Sequence, residues 1–413
     1  MNIIWITTKH PPKSGGLAQS SGRLVNSLRD RGHSVTVLNL SKTARPINPL
    51  EYGLVIVPDK KAQAEPERLF WLYKAFLAGA DVIIGFGGNQ AGYYASLWAK
   101  WLDRISMVMF RGNDFDKLVH DIKQSWLTHF ILKHADIMAA VSTEMVSRIS
   151  TMTERPVIYS PNSIDAREWG FLKSDMEFKE KWHLKNCPEG KSKGKSEGKS
   201  EGKSEGKSEG KSEGKSEGKS EGKSEGKSEG KSEGKSVIGM FGHLKSKKGL
   251  DTAFELFDDR SSFRFCSRAY LLTVGAVPEK YSKDGSAYKN SDFWIHIPFQ
   301  KRELLPQYYG VCDIVFIPSL YDGMPNVLLE SMLLGRVVVG SMAGALPDVI
   351  EHGKNGFLFN TGDTENAAEI LDFVLKLDSK QMEKIGKAAK ETIEKRFTPE
   401  NEVKIIESAI YQR

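Results

Sequence analysis

Short apolar runs and helical patterns alternate along this chain, and the alternation begins at its N-terminus. Residues 3–7 have the pattern of a buried strand, residues 17–28 place apolar side chains on one helical face, and residues 35–40 have a second strand pattern. A turn-rich stretch separates the first strand from the helix. This strand–loop–helix–strand order predicts the opening of a doubly wound parallel sheet.

The alternation continues and predicts an N-terminal α/β domain over residues 1–167. Further strand patterns lie at 53–57, 82–86, 107–110, 137–141 and 157–160. Helical patterns separate them at 66–78, 91–103, 120–134 and 142–150. In such sheets ligands bind beyond the carboxyl ends of the strands.

A second block of alternation predicts a C-terminal α/β domain over residues 237–395. Its strand patterns lie at 237–241, 270–274, 294–297, 314–317 and 337–340. Its helical patterns lie at 250–257, 326–334 and 364–395. Residues 396–413 contain a last helix, from about 399 to 412, for which we expect packing against the first domain.

A Lys-Ser-Glu-Gly repeat occupies residues 191–234, inside a predicted linker of residues 168–236. The repeat contains no apolar residue, so it cannot offset the entropy cost of ordering, and we expect a disordered, solvated loop. Long surface insertions cost little closure entropy, so both domains can fold around it.

Charge and cysteine content narrow the classes of function. The net charge is +6, the repeat units are neutral, and no basic stripe with interleaved aromatic residues indicates a nucleic-acid partner. The three cysteines are far apart, which disfavours a disulfide framework or a zinc site. Because no signal-peptide or membrane-span pattern is present, we expect a cytoplasmic protein with at most peripheral contact at the inner membrane face.

The strongest chemical signal is the segment 318–330, PSLYDGMPNVLLE. A strand pattern ends there, a tight loop contains Asp322 and Gly323, and a helix begins near Pro325. Backbone N–H groups at a helix start bind anions such as a diphosphate. Asp322 is then placed to accept hydrogen bonds from sugar hydroxyls, and Glu330 to hold a ribose diol. The alternative is a carboxylate that caps the helix and a solvated glutamate.

Two further strand–loop–helix segments carry weaker signals. In residues 241–249, His243 and Lys248 can donate to phosphate oxygens, the histidine fully only when it is protonated. After the first strand, Gly15 and Gly16 would let a phosphate approach the backbone. A charged surface loop and an ordinary turn are the respective alternatives.

In this order, the three segments resemble those of the retaining GT-B glycosyltransferases of the large family 4, also described as glycosyl transferases group 1. The similarity covers nearly the whole chain apart from the repeat. Other segments that resemble the family's motifs lie at 31–35, 141–142, 161–165 and 344–356. The resemblance implies two Rossmann-like domains that face each other across a cleft, with the donor mainly on the second domain and the acceptor mainly on the first.

The resemblance also implies roles for individual residues. The family's loop after the first carboxylate binds the sugar and the diphosphate through backbone amides. Here that donor-binding loop comprises Gly323, Met324, Pro325, Asn326 and Val327. His243 and Lys248 would neutralise the departing diphosphate, and Glu330 would bind the ribose. The implied catalytic set is therefore Asp322, Lys248 and His243.

The implied reaction is a retaining, same-face transfer from a nucleotide-sugar to a hydroxyl of a glycan, a lipid-linked or a small-molecule acceptor. The departing phosphate oxygen takes the acceptor's proton, so electrostatic stabilisation of the leaving group is the main task. A close pair of acid/base carboxylates is then not needed. We expect no metal and no other cofactor, because lysine and helix amides take the place of a cation.

Three departures from the family pattern stand out. Asp322 replaces a glutamate, which shortens its reach by one methylene and bears on sugar choice. His243 replaces an arginine and cannot form a bidentate fork to phosphate. Relatives carry a histidine near the sugar in a segment that here spans 110–114, so Arg111 and Asp114 are candidates for acceptor or sugar contacts. The alternative is an Arg–Asp pair that only shapes the loop.

Other functions remain open from the residues alone. A nucleotide-sugar epimerase or a phosphorylase can use the same fold, and so can a catalytically inactive nucleotide-sugar-binding protein. One aromatic cluster is a candidate to meet an acceptor lipid or a sugar ring, or else packs under the first domain. Its members are Tyr93, Tyr94, Trp98 and Trp101.

Overall fold

A computed structural model describes residues 1–12, 15–40, 54–56, 65–170, 178, 182, 235–258, 260–282 and 291–413, with residues 54–56 described in backbone only. The repeat at 191–234 and most of the expected linker at 168–236 lie outside these residues, so the predictions made for them remain predictions.

The first block folds into one parallel sheet of seven strands within the described residues. The strands are β1 (Asn2–Thr7), β2 (Ser34–Leu40), β3 (Leu54–Ile56), β4 (Val82–Phe86), β5 (Ile105–Phe110), β6 (Ile137–Ala140) and β7 (Val157–Tyr159). Their order is β3-β2-β1-β4-β5-β6-β7, so Ile3 of β1 pairs with Val35 on one side and with Val82 on the other. The chain reverses its winding direction between β1 and β4, where the loops that follow these strands diverge and open a crevice.

Six helices cover this sheet within the described residues. They are α1 (Gly16–Asp30), α2 (Pro66–Leu77), α3 (Gln90–Leu102), α4 (Asn113–Val119), α5 (Ser125–His134) and α6 (Thr143–Ser150). The helix predicted over 120–134 is found as α5, but it begins later, at Ser125, because residues 120–124 form a turn after α4. In that turn the Asp121 carboxylate accepts the backbone N–H groups of Lys123 at 2.9 Å and Gln124 at 3.2 Å. An aspartate bonded in this way favours a turn over a continuing helix.

The second block forms another parallel sheet, with six strands in the described part of the chain. The strands are β8 (Ser236–His243), β9 (Ala269–Ala276), β10 (Trp294–Ile297), β11 (Ile314–Ile317), β12 (Val337–Ser341) and β13 (Phe357–Phe359). Their order is β10-β9-β8-β11-β12-β13, so the winding reverses between β8 and β11. The prediction of two doubly wound parallel sheets is therefore confirmed, and β13 is an addition to it.

Within the described residues, the helices of the second sheet differ from the prediction by one break and by three additional helices. They are α7 (Leu250–Phe257), α8 (Glu279–Ser282), α9 (Leu305–Val311), α10 (Asn326–Leu333), α11 (Leu346–Val349), α12 (Thr364–Leu375) and α13 (Ser379–Arg396). The additional helices are α8, α9 and α11. The continuous helix predicted over 364–395 is wrong, because α12 and α13 are separate helices. Asp378 starts α13 with a capping box: its carboxylate accepts the Gln381 N–H at 2.8 Å, and the Gln381 side chain accepts the Asp378 N–H at 3.0 Å.

The last helix, α14 (Pro399–Tyr411), returns to the first sheet and packs on α1. Its apolar face joins the core formed by α1 and the neighbouring strands through Val403, Ile406 and Ile410. Glu407 of this helix pairs with His33 at 2.8 Å and with Arg31 at 2.7 Å. The chain therefore connects the two sheets once through residues 160–235 and once through α14.

Candidate active site

The loops that follow β8 and β11, the two switch-point strands of the second sheet, bring a lysine and an aspartate together. Lys248 ends a short 3₁₀ turn, Ser246–Lys248, and its ammonium contacts the Asp322 carboxylate. The side chains are 27% and 17% exposed, so the pair lies at the surface of the crevice, where a ligand can reach it. Asp322 also accepts the N–H of Gly323 at 3.0 Å, which sets the carboxylate beside the loop leading to α10.

The segment after β12 holds this aspartate loop from behind. Gly344 has a φ of 56°, and a Cβ there would lie 1.9 Å from the Asp322 carbonyl oxygen. The next residue, Ala345, donates its N–H to the Gly323 carbonyl at 2.8 Å. Only glycine fits a left-handed conformation with backbone this close. The start of the segment 344–356 therefore packs directly behind the aspartate loop.

Two helix N-termini meet at the crevice, one from each sheet. Among the described residues, no side chain caps the start of α1 at Gly15 or the start of α10 at Pro325. A Cβ on Gly16 would lie 3.2 Å from the Asn326 side-chain nitrogen, so the two helix starts are adjacent. Unpaired N–H groups and the partial positive charges of two helix ends therefore point into the same space, which favours an anion.

The loop of residues 245–248, which contains Lys248, also favours an anion at this place. Burial and the neighbouring Lys248 ammonium lower the pKa of Lys247, and Asp322 acts in the opposite direction. The loop contains three lysines, Lys245, Lys247 and Lys248, so it carries more positive charge than the Asp322 carboxylate alone balances. His243 is exposed at the end of β8, next to Gly242, and a Cβ on Gly242 would lie 3.9 Å from the Val327 side chain of α10.

Glu330 is buried beneath the donor loop. Only 7% of the residue is exposed, and the Tyr309 hydroxyl donates to its carboxylate at 2.8 Å. The Tyr309 ring stacks on Phe241 at a centroid distance of 3.9 Å. Burial raises the pKa of Glu330, whereas the hydrogen bond from Tyr309 and the charge of Arg302 lower it. The sequence signal did not include Tyr309, because a lone tyrosine in a helix carries no motif.

The two sheets touch at the aspartate loop. A Cβ on Gly323 would come within 2.7 Å of the Gly112 Cα, so the backbones are in contact there. Thr143 at the start of α6 donates its N–H to Asp348 at 2.9 Å, and its hydroxyl contacts the same carboxylate. These contacts between the two domains therefore lie beside Asp322, at the proposed sugar end of the donor site.

Arg111 and Asp114 lie next to this contact, but the structure places them in the protein interior. The Arg111 side chain is 2% exposed and donates to Glu402 of α14 at 2.6 Å and to the Ser160 carbonyl at 3.1 Å. Asp114 accepts the N–H groups of Gly88 at 2.8 Å and of Arg111 at 3.1 Å. Burial raises the pKa of Asp114, and the hydrogen bonds from the Gly88 and Arg111 amides oppose this effect. Both side chains therefore hold the loop that follows β5 and the contact between the two domains, which we call the joint. They do not form the direct Arg–Asp side-chain pair that the sequence suggested as the alternative.

Asn162 links this joint to the donor loop. Its side-chain nitrogen donates to the Met324 carbonyl at 2.8 Å, and its backbone N–H lies 3.1 Å from the Met324 sulfur. The Arg111 guanidinium contacts the Asn162 side-chain oxygen. Asn162 lies in the 161–165 segment noted from the sequence, but no individual role was predicted for it. Glu402 carried no sequence signal, because its partners are more than two hundred residues away.

The expectation of a metal-free site overlooked one Asp-x-Asp sequence, Asp114-Phe115-Asp116. The Asp114 carboxylate is held by backbone N–H groups, and Asp116 is paired with Arg148. In the part of the chain that the structure describes, no three His, Cys, Asp or Glu residues are grouped as a metal site. Across the same residues, no helix is long and apolar enough to span a membrane.

Comparisons with known proteins agree with this arrangement. The model of the glycosyl transferase 4-like domain matches residues 15–162, and that of glycosyl transferases group 1 matches residues 223–392. In solved structures, the UDP complex of Anabaena Alr3699/HepE superimposes with a TM-score of 0.70 at 16% identity, covering 100% of both chains. At that identity the likeness shows the fold, which is GT-B.

Curated relatives match over shorter stretches. The sulfoquinovosyl transferase SQD2 of Arabidopsis thaliana is 43% identical over 94 residues, which is 22% of this chain and 18% of that protein. The N-acetyl-alpha-D-glucosaminyl L-malate synthase of Bacillus anthracis is 30% identical over 144 residues, 35% of this chain and 37% of that enzyme. Each alignment thus spans well under half of the relative's length. Since the two family models match one domain each, at the positions where the two sheets and their glycine and aspartate loops lie, the chain belongs to the glycosyl transferases group 1 family, with a glycosyl transferase 4-like N-terminal domain.

Proposed function

We propose that this protein transfers a sugar from a nucleotide-sugar to an acceptor hydroxyl, with retention of anomeric configuration and without a metal ion. The observation that carries the proposal is the meeting of two uncapped helix starts, at Gly16 and Asn326, beside the Lys248–Asp322 pair. The site gathers positive charge where a diphosphate would leave and sets a carboxylate where sugar hydroxyls would lie.

The Lys248–Asp322 contact has a direct role in this scheme. Without a donor, the two side chains neutralise each other. When the diphosphate enters, Lys248 turns to the phosphate oxygens and Asp322 accepts hydrogen bonds from the sugar. The bond from the anomeric carbon to the diphosphate then breaks, the acceptor oxygen bonds to that carbon on the same face, and the departing phosphate oxygen takes the acceptor's proton. The loop gains interaction energy as charge develops on the leaving group, which is the condition for catalysis.

The comparisons suggest the first donors to test. The structural neighbour Alr3699/HepE has been solved with UDP, with UDP and glucose, and with UDP-glucose. UDP-sugars are therefore the leading donor class for this chain. The acceptor binds on the first sheet in this proposal, and the reaction takes place in the cytoplasm.

The test is a thermal-shift and nucleotide-release panel of UDP-, GDP-, ADP- and CDP-sugars with a broad set of acceptors. The wild-type protein is compared with Lys248→Ala and with Lys390→Ala, which removes a surface lysine on α13 that lies near Glu394. We expect one donor to stabilise the wild type and to be turned over, Lys248→Ala to lose roughly 10²–10³-fold in kcat, and Lys390→Ala to match the wild type.

Other outcomes would assign a different function. An isomerised donor without any acceptor indicates an epimerase, and phosphate-dependent release of a sugar phosphate indicates a phosphorylase. Donor binding without nucleotide release under every acceptor supports a binding protein. Binding that survives Lys248→Ala unchanged would contradict the placement of the diphosphate.

A further inference from the structure

The outer face of the first sheet exposes an unusual number of large aromatic side chains. Trp71, Trp101 and Trp126 are 59%, 46% and 55% exposed. They lie on α2, α3 and α5, respectively. Monomeric proteins seldom expose several large apolar side chains in one patch unless the patch binds something.

Ring contacts join these tryptophans to neighbouring aromatic side chains in two groups, both of which include a residue of α3. The Phe70 ring packs edge-on against Trp101 at 5.2 Å and against Trp71 at 5.9 Å. Tyr93 contacts Trp126 at 5.0 Å. Tyr93 and Trp101 stand eight residues apart on α3 and therefore lie on one side of that helix, two turns apart. We call Phe70, Trp71, Tyr93, Trp101 and Trp126 the aromatic band.

Other large apolar side chains are exposed on α2 and in the turn before α5. Leu72 and Phe76 follow on α2, four residues apart, and are 62% and 45% exposed. Ile122, in the turn before α5, is 98% exposed. By contrast, Tyr94 and Trp98 of the same sequence cluster are buried and stack on each other at 5.1 Å. The cluster noted from the sequence thus divides into a packed half and an exposed half.

The charged side chains of the three helices are mostly basic. Within α2, α3 and α5, four lysine or arginine residues stand against one glutamate, Glu67, a difference of +3. The basic residues are Arg68, Lys74, Lys100 and Lys133, all exposed. The Lys74 ammonium lies over the Trp71 ring at 4.6 Å. Lysines beside tryptophans suit an interface at which rings enter the headgroup layer and ammonium groups meet phosphates.

We propose that the aromatic band and its flanking lysines seat this protein on a lipid bilayer that carries anionic headgroups. The band occupies the outer sides of three helices, as a broad interface with a flat partner requires. A protein–protein interface is depleted of lysine at its centre, whereas Lys74 stands directly on the band. α3 starts at Gln90, immediately after the carboxyl end of β4, so the Tyr93 end of the band lies near the crevice. A bilayer seated there would bring a lipid-borne acceptor to the first sheet.

The test is sedimentation of the full chain with vesicles of phosphatidylcholine alone or of phosphatidylcholine mixed with phosphatidylglycerol. We expect binding to the mixed vesicles, with weaker binding to the neutral ones. A triple variant, Trp71→Ser/Trp101→Ser/Trp126→Ser, should lose at least tenfold in partition. The matched control is Phe299→Ser/Phe373→Ser, which removes two exposed aromatics, 75% and 53% exposed, from the second sheet.

The charge contribution is tested separately with Lys100→Ala/Lys133→Ala. Each lysine near an anionic surface contributes about a fivefold factor in binding, so the pair should cost roughly 25-fold on mixed vesicles and little on neutral ones. Circular dichroism and melting temperature establish that the variants fold. Equal sedimentation of wild type and triple variant would overturn the proposal. So would a concentration-dependent dimer that the triple variant abolishes, because the band would then bind a second copy of the chain.

Discussion

At the scale of single residues, the site separates two acidic groups by their surroundings. Asp322 is partly open and bound to Lys248, whereas Glu330 is enclosed and accepts from the Tyr309 hydroxyl. An open carboxylate can exchange partners when a ligand arrives. An enclosed one, whose pKa burial raises, holds a fixed geometry instead. Asp322 and Glu330, which stand eight residues apart, are thus suited to different tasks.

The pairing of Asp322 with Lys248 makes an unusual prediction for Asp322→Asn. The variant frees the lysine from its competing carboxylate, so UDP alone, or whichever nucleotide the panel identifies, should bind equally well or up to about fivefold more tightly. Turnover should fall by roughly 10²-fold, because the neutral amide offers the sugar one acceptor oxygen instead of two charged ones. Calorimetry and initial rates measure the two effects. Weaker nucleotide binding in this variant would show that Lys248 does not exchange partners.

His10 predicts a distinct acid sensitivity near the N-terminal loop. Burial, and secondarily the charge of Arg29, lower the pKa of His10 to about 4, and its ring lies 2.8 Å from the Ser21 hydroxyl. The unfolded chain therefore binds this proton first as the pH falls. The contribution of neutral His10 to the free energy of unfolding is fully present above the unfolded-state pKa of 6.5. It is lost as the pH falls to about 4.

The shift corresponds to about 3 kcal/mol of unfolding free energy lost across that window. Urea unfolding at neutral pH and at pH about 4 measures this loss. Over that interval, the free energy of unfolding of His10→Gln should fall by about 3 kcal/mol less than that of the wild type. His129→Gln, a change at an exposed helix position, is the control and should follow the wild type. Parallel pH profiles for wild type and His10→Gln would contradict the buried neutral histidine.

At the scale of elements, backbone contacts between loops position the site. The Gly344 segment supports the aspartate loop, and Gly323 of that loop touches Gly112 of the first sheet. These approaches leave no room for a side chain. The positions of Asp322 and of the α10 start therefore depend on glycine at these close approaches.

Gly344→Ala tests this dependence. Its Cβ would meet the Asp322 carbonyl, so we expect a loss of more than about 2 kcal/mol of stability together with weakened donor binding. Gly353→Ala is the matched control, because Gly353 also has a positive φ, 77°, but nothing lies within 4 Å of an added Cβ. It should cost about 1 kcal/mol and leave donor affinity unchanged. Equal effects of the two substitutions would show that strain alone, rather than the aspartate loop, matters.

Element prediction from the sequence succeeded where a pattern was local and strong. The strands at 82–86, 294–297 and 314–317 are found as predicted because continuous apolar runs end at turn residues. The strand Phe357–Phe359 has only three residues, too few for a periodic signal. The break between α12 and α13 was missed because Asp378 reads equally well as a surface residue of one long helix. Arg111 was considered for the ligand surface, since only its partners, 49 to 291 residues away, show that it points inward.

At the scale of the whole molecule, one buried carboxylate joins three parts of the chain. Glu402 of α14 accepts from Arg111 at 2.6 Å, from Arg23 at 3.3 Å and from the Ser163 hydroxyl at 2.5 Å. Arg111 continues to Asn162, which bonds to the donor loop at Met324. The return of the last helix therefore fixes the relation between the sheets and, through it, the donor loop.

Removing this carboxylate should be costly. Glu402→Ala leaves two guanidinium groups buried without a counter-charge, and we expect a loss of about 3–5 kcal/mol of stability. The control Glu351→Ala removes an exposed partner of Lys354 and should cost no more than about 1 kcal/mol. Chemical unfolding of both variants measures the difference. A Glu402→Ala protein as stable as the control would show that the joint does not depend on this group.

The most direct measurement of the proposed function follows the anomeric proton by NMR during turnover, with EDTA present. The substrates are the donor and the acceptor that support nucleotide release in the panel. We expect a glycoside whose anomeric configuration equals that of the donor, formed at the rate of nucleotide release. A glycoside of opposite configuration, or activity that EDTA abolishes, would contradict the retaining, metal-free transfer proposed for this site.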